Sequence, residues 1–316
     1  MTVLVFGAGA VGSLFGARFA AAGRPVLLIG RGPHVEALRA HGIRVEGVGA
    51  GRFPCSAAIE LPAATPVELA LLTVKTFDLG AAATALARSC APVPLLLPQN
   101  GLHLEAIVEP ALRSAGWTDP VPWIVRAVHS VPATLVGPGV VRAAGSGEIV
   151  LPEPSGDPRR DAGARAFETL FREAGFSVRT VPAIEREVWR KALVNAAINP
   201  VTALHGVPNG DLASEPLRSE ALALLDEAYR VAETEPFGLS LAEARRDFDQ
   251  VVRATAENRS SMLQDLDRGR PTEIEAISGE ILRLGEARGL RLPATRAIVE
   301  RVRAVVAGAR RTAQPS

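Results

Sequence analysis

The sequence predicts an α/β protein in which a doubly wound parallel sheet is followed by an all-helical C-terminal domain. The chain has 316 residues, which is longer than a chain with a single hydrophobic core usually is and suits two domains. Short apolar runs alternate with helical patterns in the first half, as in a parallel sheet with crossover helices. After about residue 180 the segments have helical periodicity. We therefore expect a sheet domain at residues 1–180, a helical domain at residues 181–310 and a disordered tail at residues 311–316.

Composition and charge exclude several classes of protein. Hydrophobic residues make up 47% and charged residues 22%, which is close to the average for a globular protein in water. A net charge of +1 favours neither nucleic acid nor an anionic membrane as a partner. The two cysteines, Cys55 and Cys90, have no metal-type or disulfide-framework spacing, so we expect no metal site. No apolar run reaches the ~18 residues of a membrane span, and the chain begins directly with a strand, which predicts a cytoplasmic location.

The clearest motif is a glycine-rich turn between a strand and a helix. An apolar run at residues 3–6 precedes it and a helical pattern follows it, within a unit of about thirty residues. Gly7 permits the tight turn, Gly9 lets a pyrophosphate approach the backbone, and Gly12 lets the helix pack on the strand. The first domain is therefore predicted to be a Rossmann-type dinucleotide-binding domain rather than another α/β fold with a glycine turn. Its predicted cofactor-binding residues are Gly7, Ala8, Gly9, Ala10, Val11 and Gly12.

The end of the second predicted strand indicates which dinucleotide is preferred. A site for NAD usually has an acidic residue there, which binds the ribose hydroxyls. This sequence has Ile29-Gly30-Arg31 and no acid. A guanidinium at that place would pair with a 2′-phosphate, so we expect NADP(H), with NADPH as the reductant. The alternative is a solvated surface arginine.

Two further strands end in polar residues. The run at residues 69–79 contains Lys75 after its apolar part, and the run at residues 93–102 ends in Gln99-Asn100-Gly101. Ligands of doubly wound sheets lie at the carboxyl ends of the strands, so Lys75 and Asn100 are predicted to lie near the cofactor. Asn100-Gly101 would also suit a simple turn.

A helix in the second half carries polar residues in one file. Lys191, Asn195 and Asn199 are four residues apart and therefore share one helix face, although the residues between them are apolar. Asparagine is a poor helix former, so a solvated face does not explain the pair of asparagines. The helix is expected to break at Pro200.

These motifs together resemble the ketopantoate reductase (2-dehydropantoate 2-reductase) family over nearly the whole chain. The similar segments are GAGAVG at 7–12, Lys75, QNG at 99–101, GSGEI at 145–149, K-x3-N-x3-NP at 191–200, PNG at 208–210 and SSMLQDLDRGRPTEIEAISGEI at 260–281. The resemblance implies NADPH-dependent reduction of the ketone of 2-dehydropantoate to (R)-pantoate, on the route to pantothenate and coenzyme A. It implies that Lys191 is the general acid and Glu273 its essential partner. It also implies substrate contacts from Asn195, Asn199, Asn209 and Ser261.

The chemistry of the residues agrees with this resemblance. Hydride delivery to a ketone builds negative charge on oxygen, which needs a proton donor and a positive neighbour, and Lys191 can provide both. Thr272 and Glu275 fit a capping box, which would leave Glu273 at the first helical position for the site. Alternatively, Lys191 and Glu273 form a plain salt bridge and Ser261 is only a helix residue.

One segment departs from the family pattern, and the identity of the substrate is therefore not determined by the resemblance. Residues 114–140 lack the typical pattern, which leaves the reaction type unchanged but admits a different small 2-keto acid as the substrate. A third interpretation is a non-catalytic NADP(H)-binding sensor, but such a protein would not need both Lys191 and Glu273. A homodimer is compatible with the sequence.

Overall fold

A computed structural model describes residues 2–63 and 65–312. The chain forms two compact units: unit 1 contains Met1–Gln99 and His103–Ile184, and unit 2 contains Asn100–Leu102 and Glu185–Ser316. The last helix ends at Thr312, and the rest of the predicted tail, residues 313–316, lies outside the described residues.

Unit 1 contains thirteen strands and five helices in its described residues. The strands are β1 Thr2–Phe6, β2 Val26–Ile29, β3 Ile43–Gly47, β4 Gly51–Phe53, β5 Ser56–Ala58, β6 Val67–Leu72, β7 Leu95–Leu97, β8 Ile124–Arg126, β9 Val128–His129, β10 Ala133–Gly137, β11 Val140–Ala143, β12 Glu148–Pro152 and β13 Ser177–Val181. The helices are α1 Ala10–Ala21, α2 Gly32–His41, α3 Leu79–Ser89, α4 Glu105–Ser114 and α5 Pro158–Glu173.

The central sheet of unit 1 confirms the predicted doubly wound fold. Its six strands are parallel and lie in the order β5-β2-β1-β6-β7-β8. Side chains of a strand alternate between the two faces, and Val3 and Val5 accordingly belong to one apolar core while Leu4 belongs to the other. Helices α1 and α5 supply the first core, and α3 and α4 the second. The strand order reverses between β1 and β6, where doubly wound folds bind their ligands.

Two smaller sheets complete unit 1. The order of one is β10-β11-β3-β4, in which β11 pairs with β3 in parallel and the other pairs are antiparallel. The order of the other is β13-β12-β9. The alternation of apolar residues along these strands does not reveal which distant strand each one pairs with.

A buried histidine joins α2 to these elements. His34 is 9% exposed, and its Nδ1 accepts a hydrogen bond from the Gly139 N–H at 3.0 Å. The ring proton therefore lies on Nε2, which is 3.0 Å from Ser13 Oγ on α1. Burial lowers the pKa of His34 from its ordinary value of 6.5, so the folded protein holds the imidazole neutral at neutral pH.

We expect the free energy of unfolding to fall as the pH drops below 6.5, because the unfolded chain then binds a proton at His34 that the folded chain does not. This contribution is fully present above pH 6.5 and is lost progressively towards the lowered pKa of the folded state. Denaturant unfolding on both sides of that pH measures the slope. His34→Gln should flatten it, whereas His41→Gln, a change at an exposed position of the same helix, should not. An unchanged slope in His34→Gln would contradict this assignment.

The secondary structure of unit 2 is entirely helical in its described residues, as predicted. Its helices are α6 Ile184–His205, α7 Leu217–Ala232, α8 Leu241–Ala254, α9 Ser261–Asp267, α10 Glu280–Ala287 and α11 Pro293–Thr312, with a 3-10 helix at Asn209–Ala213 and a π-helix at Glu275–Gly279. In the part of the chain that the structure describes, no helix is long and apolar enough to cross a membrane.

The predicted break at Pro200 is wrong. Pro200 lies inside α6, which continues to His205. Proline removes one N–H donor but its fixed φ suits a helix, so tertiary packing can maintain the helix through it. The turn that follows supplies this packing, since Val201 and Thr202 have no exposed surface and Thr202 Oγ1 donates to the Ile198 carbonyl at 2.8 Å.

Candidate functional site

The glycine turn of unit 1 has the backbone geometry that a pyrophosphate site requires. Gly7 has a φ of +124°, and a Cβ there would lie 2.5 Å from the Val74 nitrogen. A Cβ on Gly12 would lie 2.1 Å from the Gly7 carbonyl oxygen, so glycine is needed for α1 to pack against the turn. A Cβ on Gly9 would meet nothing within 4 Å. The open side of the turn is therefore at Gly9, where α1 begins.

The start of α1 provides donors for an anion. Gly9 is the N-cap, and the first intrahelical bond runs from the Ser13 N–H to the Gly9 carbonyl at 2.9 Å. The N–H groups of Ala10, Val11 and Gly12 therefore have no intrahelical acceptor. No acidic residue lies in the first turn, so the positive end of the helix dipole is not neutralised there. These residues fit the pyrophosphate of a dinucleotide.

Arg31 lies at the end of β2, as expected, but it already has an acidic neighbour. Its side chain is 82% exposed, and its Nη2 lies 3.3 Å from Asp78 Oδ2. Asp78 follows β6, which flanks β1 on the side opposite β2. A 2′-phosphate at Arg31 would therefore compete with the Asp78 carboxylate for one guanidinium.

Lys75 and Asn100 follow adjacent strands but belong to different units. Lys75 is half-buried and precedes a short 3-10 helix at Thr76–Asp78. The segment Asn100–Leu102 belongs to unit 2, where the Leu102 N–H donates to the Ala276 carbonyl at 3.1 Å. Asn100 Oδ1 is buried without a hydrogen-bond partner among the described residues.

The polar residues on one face of α6 become more buried towards the C-terminus of the helix. Lys191 and Asn195 are half-buried, and Asn199 is 7% exposed. Two ion pairs fix the rotation of this helix against α8, because Arg186 lies 2.7 Å from Glu243 and Arg190 binds both carboxylate oxygens of Asp247 at 2.8 Å. The direction in which this polar face of α6 points is thus determined by packing within unit 2.

A small pocket in unit 2 brings three of the predicted residues together. Asn199 of α6, Ser261 of α9 and Glu273 line it. The remaining lining residues are Met262, Asp265 and Ile277. Lys191 precedes Asn199 by eight residues, which is roughly 12 Å along the helix axis. The pocket brings an amide, a hydroxyl and carboxylates beside two apolar side chains, although the space between these side chains is too narrow for a water molecule.

Ser261 and its neighbour Ser260 have different roles in α9. Ser260 is the N-cap of α9; its Oγ accepts from the Leu263 N–H at 3.2 Å, and its hydroxyl pairs with Thr202 Oγ1 at 2.8 Å. Ser261 lies at the first helical position, is exposed and lines the pocket. Ser260 therefore caps α9, and Ser261, which has no capping task, remains a predicted substrate contact.

The predicted capping box of Thr272 and Glu275 is wrong. Thr272 Oγ1 is buried without a hydrogen-bond partner among the described residues, and Glu275 instead binds Arg303 at 2.7 and 2.6 Å. The element after Glu273 is a π-helix at Glu275–Gly279, with the Gly279 N–H donating to the Ile274 carbonyl at 2.9 Å. The wider turn changes the spacing of side chains, and turns of this type occur frequently at functional sites.

Asn209 has one end of its amide engaged inside unit 2. Its Nδ2 donates to Thr255 Oγ1 at 2.9 Å, and its backbone N–H donates to the Asn258 carbonyl at 2.9 Å. Its Oδ1 is buried without a hydrogen-bond partner among the described residues, so the acceptor end of the amide is the end that lacks a partner. The pocket of α6 and α9 does not include Asn209.

The structure adds residues that the sequence analysis missed. Asp265 is 6% exposed and lines the pocket four residues after Ser261, on the same face of α9. This spacing could have identified it. Arg126 of β8 is 3% exposed and donates to the carbonyls of Leu97 and Gln99 at 2.5 and 2.8 Å. A lone arginine in an apolar strand gives no signal of such a role.

The Rossmann-type unit with its glycine turn defines a dinucleotide-binding protein, and the family comparisons make it an oxidoreductase that uses a nicotinamide nucleotide. The family model described as ketopantoate reductase PanE/ApbA matches residues 3–156, and the model of its C-terminal part matches residues 183–306. The chain belongs to the ketopantoate reductase family.

Relatives and solved structures agree with this assignment. The chain is 36% identical to a 2-dehydropantoate 2-reductase of Archaeoglobus fulgidus over 97% of this chain and 98% of that protein. A ketopantoate reductase structure from Ralstonia eutropha JMP134 is similar with a TM-score of 0.87 and 30% identity over 98% of this chain and 100% of the other. D-mandelate dehydrogenase in complex with NADH and anilino(oxo)acetate is similar with a TM-score of 0.88 and 26% identity over 98% and 100% of the two chains.

Proposed function

We propose that this protein catalyses the NADPH-dependent reduction of the ketone of 2-dehydropantoate to (R)-pantoate, with Lys191 as the general acid. The observation that carries this proposal is the pocket of unit 2, in which Asn199, Ser261 and Glu273 lie together. The relatives named 2-dehydropantoate 2-reductase support the substrate. The product belongs to the route to pantothenate and coenzyme A.

Each proposed role follows from the charge that develops in the reaction. A bound nicotinamide cofactor would supply the hydride for the carbonyl carbon. The Lys191 ammonium donates a proton to the carbonyl oxygen and stabilises the negative charge that builds there. Glu273 is the essential partner, which accepts a hydrogen bond from the substrate hydroxyl or orients Lys191. The proton and hydride together convert the ketone to a secondary alcohol.

The neutral polar residues are proposed to bind the substrate. Asn195 and Asn199 provide amide donors and acceptors on one face of α6, and Ser261 provides a hydroxyl from α9. Asn209 would contribute its acceptor oxygen, which is buried without a hydrogen-bond partner among the described residues. Met262 and Ile277 would face the apolar part of a branched keto acid.

We propose that the cofactor is NADPH. The backbone of residues 7–12 and the side chains of Arg31, Lys75 and Asn100 are its proposed contacts. The absence of an acid after β2 supports this choice, and the exposed Arg31 guanidinium suits a 2′-phosphate. The carboxylate of Asp78 weakens the preference, because it would have to yield Arg31 to the phosphate.

We expect Arg31→Ala to lower the affinity for NADPH roughly ten- to hundredfold, while the affinity for NADH changes little, because about 1.5–3 kcal/mol of charged hydrogen bonding is lost. Asp78→Asn is the matched variant: it leaves Arg31 unopposed and should strengthen NADPH binding relative to NADH. Fluorescence titration of both cofactors measures these ratios. Equal affinities of the unmodified protein for the two cofactors would contradict the NADPH assignment.

A second candidate is the reduction of another small 2-keto acid. The similarity to D-mandelate dehydrogenase supports it, because the reverse of mandelate oxidation is the reduction of an aryl 2-keto acid, and the cofactor in that complex is NADH. The carboxylates and hydroxyl of the pocket favour ketopantoate, which bears a hydroxyl that an aryl keto acid lacks.

Steady-state oxidation of NADPH by the purified protein tests both candidates. The kcat/KM for ketopantoate should exceed that for phenylglyoxylate and for branched keto acids without a hydroxyl. A higher value for phenylglyoxylate would replace the first candidate by the second. Binding of NADPH without turnover of any keto acid would favour the non-catalytic sensor. The cytoplasmic location and a homodimer remain predictions.

A further inference from the structure

The side chain of Gln99 has two buried polar ends that no described residue satisfies. Gln99 is 9% exposed, and neither its Nε2 nor its Oε1 has a hydrogen-bond partner among the described residues. Buried amides in folded proteins are nearly always paired, and a buried donor or acceptor without a partner is costly. A buried amide without hydrogen-bond partners therefore indicates that a ligand forms hydrogen bonds with it.

The position of Gln99 in unit 1 indicates which group this is. Gln99 follows β7, whose neighbour β6 lies next to β1 and the glycine turn. In a doubly wound sheet each mononucleotide half of the cofactor lies on one side of the switch point. Arg31 follows β2 and marks the adenosine side, so the nicotinamide half belongs on the side of β6 and β7. Strands β2 and β7 are three spacings apart, or about 14 Å, which an extended dinucleotide can span.

Arg126 fixes the backbone of Gln99. Its guanidinium donates to the Gln99 carbonyl at 2.8 Å and to the Leu97 carbonyl at 2.5 Å, and Arg126 pairs with Leu97 in the register of β8 and β7. The guanidinium is buried, so these bonds are shielded from water. The end of β7 is therefore held in place, although the amide of Gln99 makes no bond of its own.

We propose that Gln99 recognises the carboxamide of the nicotinamide ring. A primary amide that needs both a donor and an acceptor is matched by another carboxamide, with Gln99 Nε2 donating to its oxygen and Oε1 accepting from its N–H. A keto acid carboxylate offers acceptors only. This inference rests on the nicotinamide cofactor of the proposed function and does not depend on which keto acid is reduced.

The test compares cofactor binding by Gln99→Met and by the unmodified protein, measured by calorimetry without a keto acid. Methionine keeps the length of the side chain and removes the amide. Gln99→Met should bind NADP+ about tenfold more weakly, since a buried hydrogen-bonding partner is lost, and should bind 2′-phospho-ADP-ribose, which lacks the nicotinamide, with unchanged affinity. Gln250→Met, at an exposed position of α8, is the control and should change neither affinity.

The 3-acetylpyridine analogue of NADP+ separates recognition from a structural effect. It keeps the carbonyl acceptor but has no N–H donor, so the unmodified protein should prefer NADP+ to it, and Gln99→Met should lose this preference. Gln99→Met should also melt no lower than the unmodified protein in the absence of cofactor. Equal weakening of NADP+ and 2′-phospho-ADP-ribose, or no weakening of either, would overturn the inference. If the unmodified protein bound neither ligand, the cofactor of the proposed function would be wrong, which is a distinct outcome.

Discussion

Replacing Lys191 by alanine is expected to lower kcat by about 10²–10⁴, the usual contribution of a positioned proton donor. The hydride acceptor becomes an alkoxide unless a proton arrives, and the ammonium also stabilises the charge before the proton moves. Cofactor binding should survive, because the proposed pyrophosphate contacts lie in the glycine turn of unit 1. Steady-state kinetics together with calorimetric titration of NADPH separate the two effects.

Two further measurements make this expectation specific. Lys191→Arg keeps a positive charge but cannot donate a proton near neutral pH, so it should restore substrate binding and only a small part of kcat. Small primary amines added to Lys191→Ala should restore part of the turnover, because they can take the place of the lost ammonium. A kcat in Lys191→Ala within a few-fold of the unmodified protein would rule out its role as the general acid.

Glu273→Ala is expected to reduce kcat/KM severely, whereas Glu275→Ala should leave it nearly unchanged. Glu273 lines the pocket with Asn199 and Ser261. Glu275 is on the surface, where its side chain is 58% exposed and pairs with Arg303, itself 53% exposed. An exposed ion pair contributes only about 0–1 kcal/mol, so Glu275→Ala should also change the free energy of unfolding little.

The two glutamates serve as matched controls because they lie two residues apart and flank the same π-helix start. Glu273→Gln keeps the hydrogen-bonding oxygen and removes the charge, so it distinguishes an acceptor for the substrate hydroxyl from a counter-charge for Lys191. Near-normal activity in Glu273→Gln would favour the acceptor role. Loss of turnover in a well-folded Glu275→Ala protein, with Glu273→Ala active, would show that the assignment of the pair is wrong.

Much of the fold and part of the site could be predicted because the signals are local. The glycine spacing at residues 7–12 determines a tight turn, a positive φ and a close helix within one short segment. The four-residue spacing of Lys191, Asn195 and Asn199 places them on one face whatever the helix packs against. The all-helical character of unit 2 follows in the same way from periodicity.

Other features depended on partners that are distant in the sequence. Thr272 and Glu275 have the spacing of a capping box, yet Glu275 binds Arg303 across 28 residues. Pro200 would end an isolated helix, but burial of the next turn keeps α6 continuous. In both places the local preference is worth about 1–3 kcal/mol, which tertiary packing can outweigh.

The sequence by itself therefore determined the doubly wound sheet, the glycine turn and the polar face of α6, since each depends on residues within a few positions of one another. Only the tertiary structure decided that Asn199, Ser261, Asp265 and Glu273 share a pocket and that Arg126 holds the end of β7 beside Gln99. The physical reason is that burial and hydrogen-bond satisfaction depend on which distant segments meet, and periodicity does not encode the partner of a buried polar group.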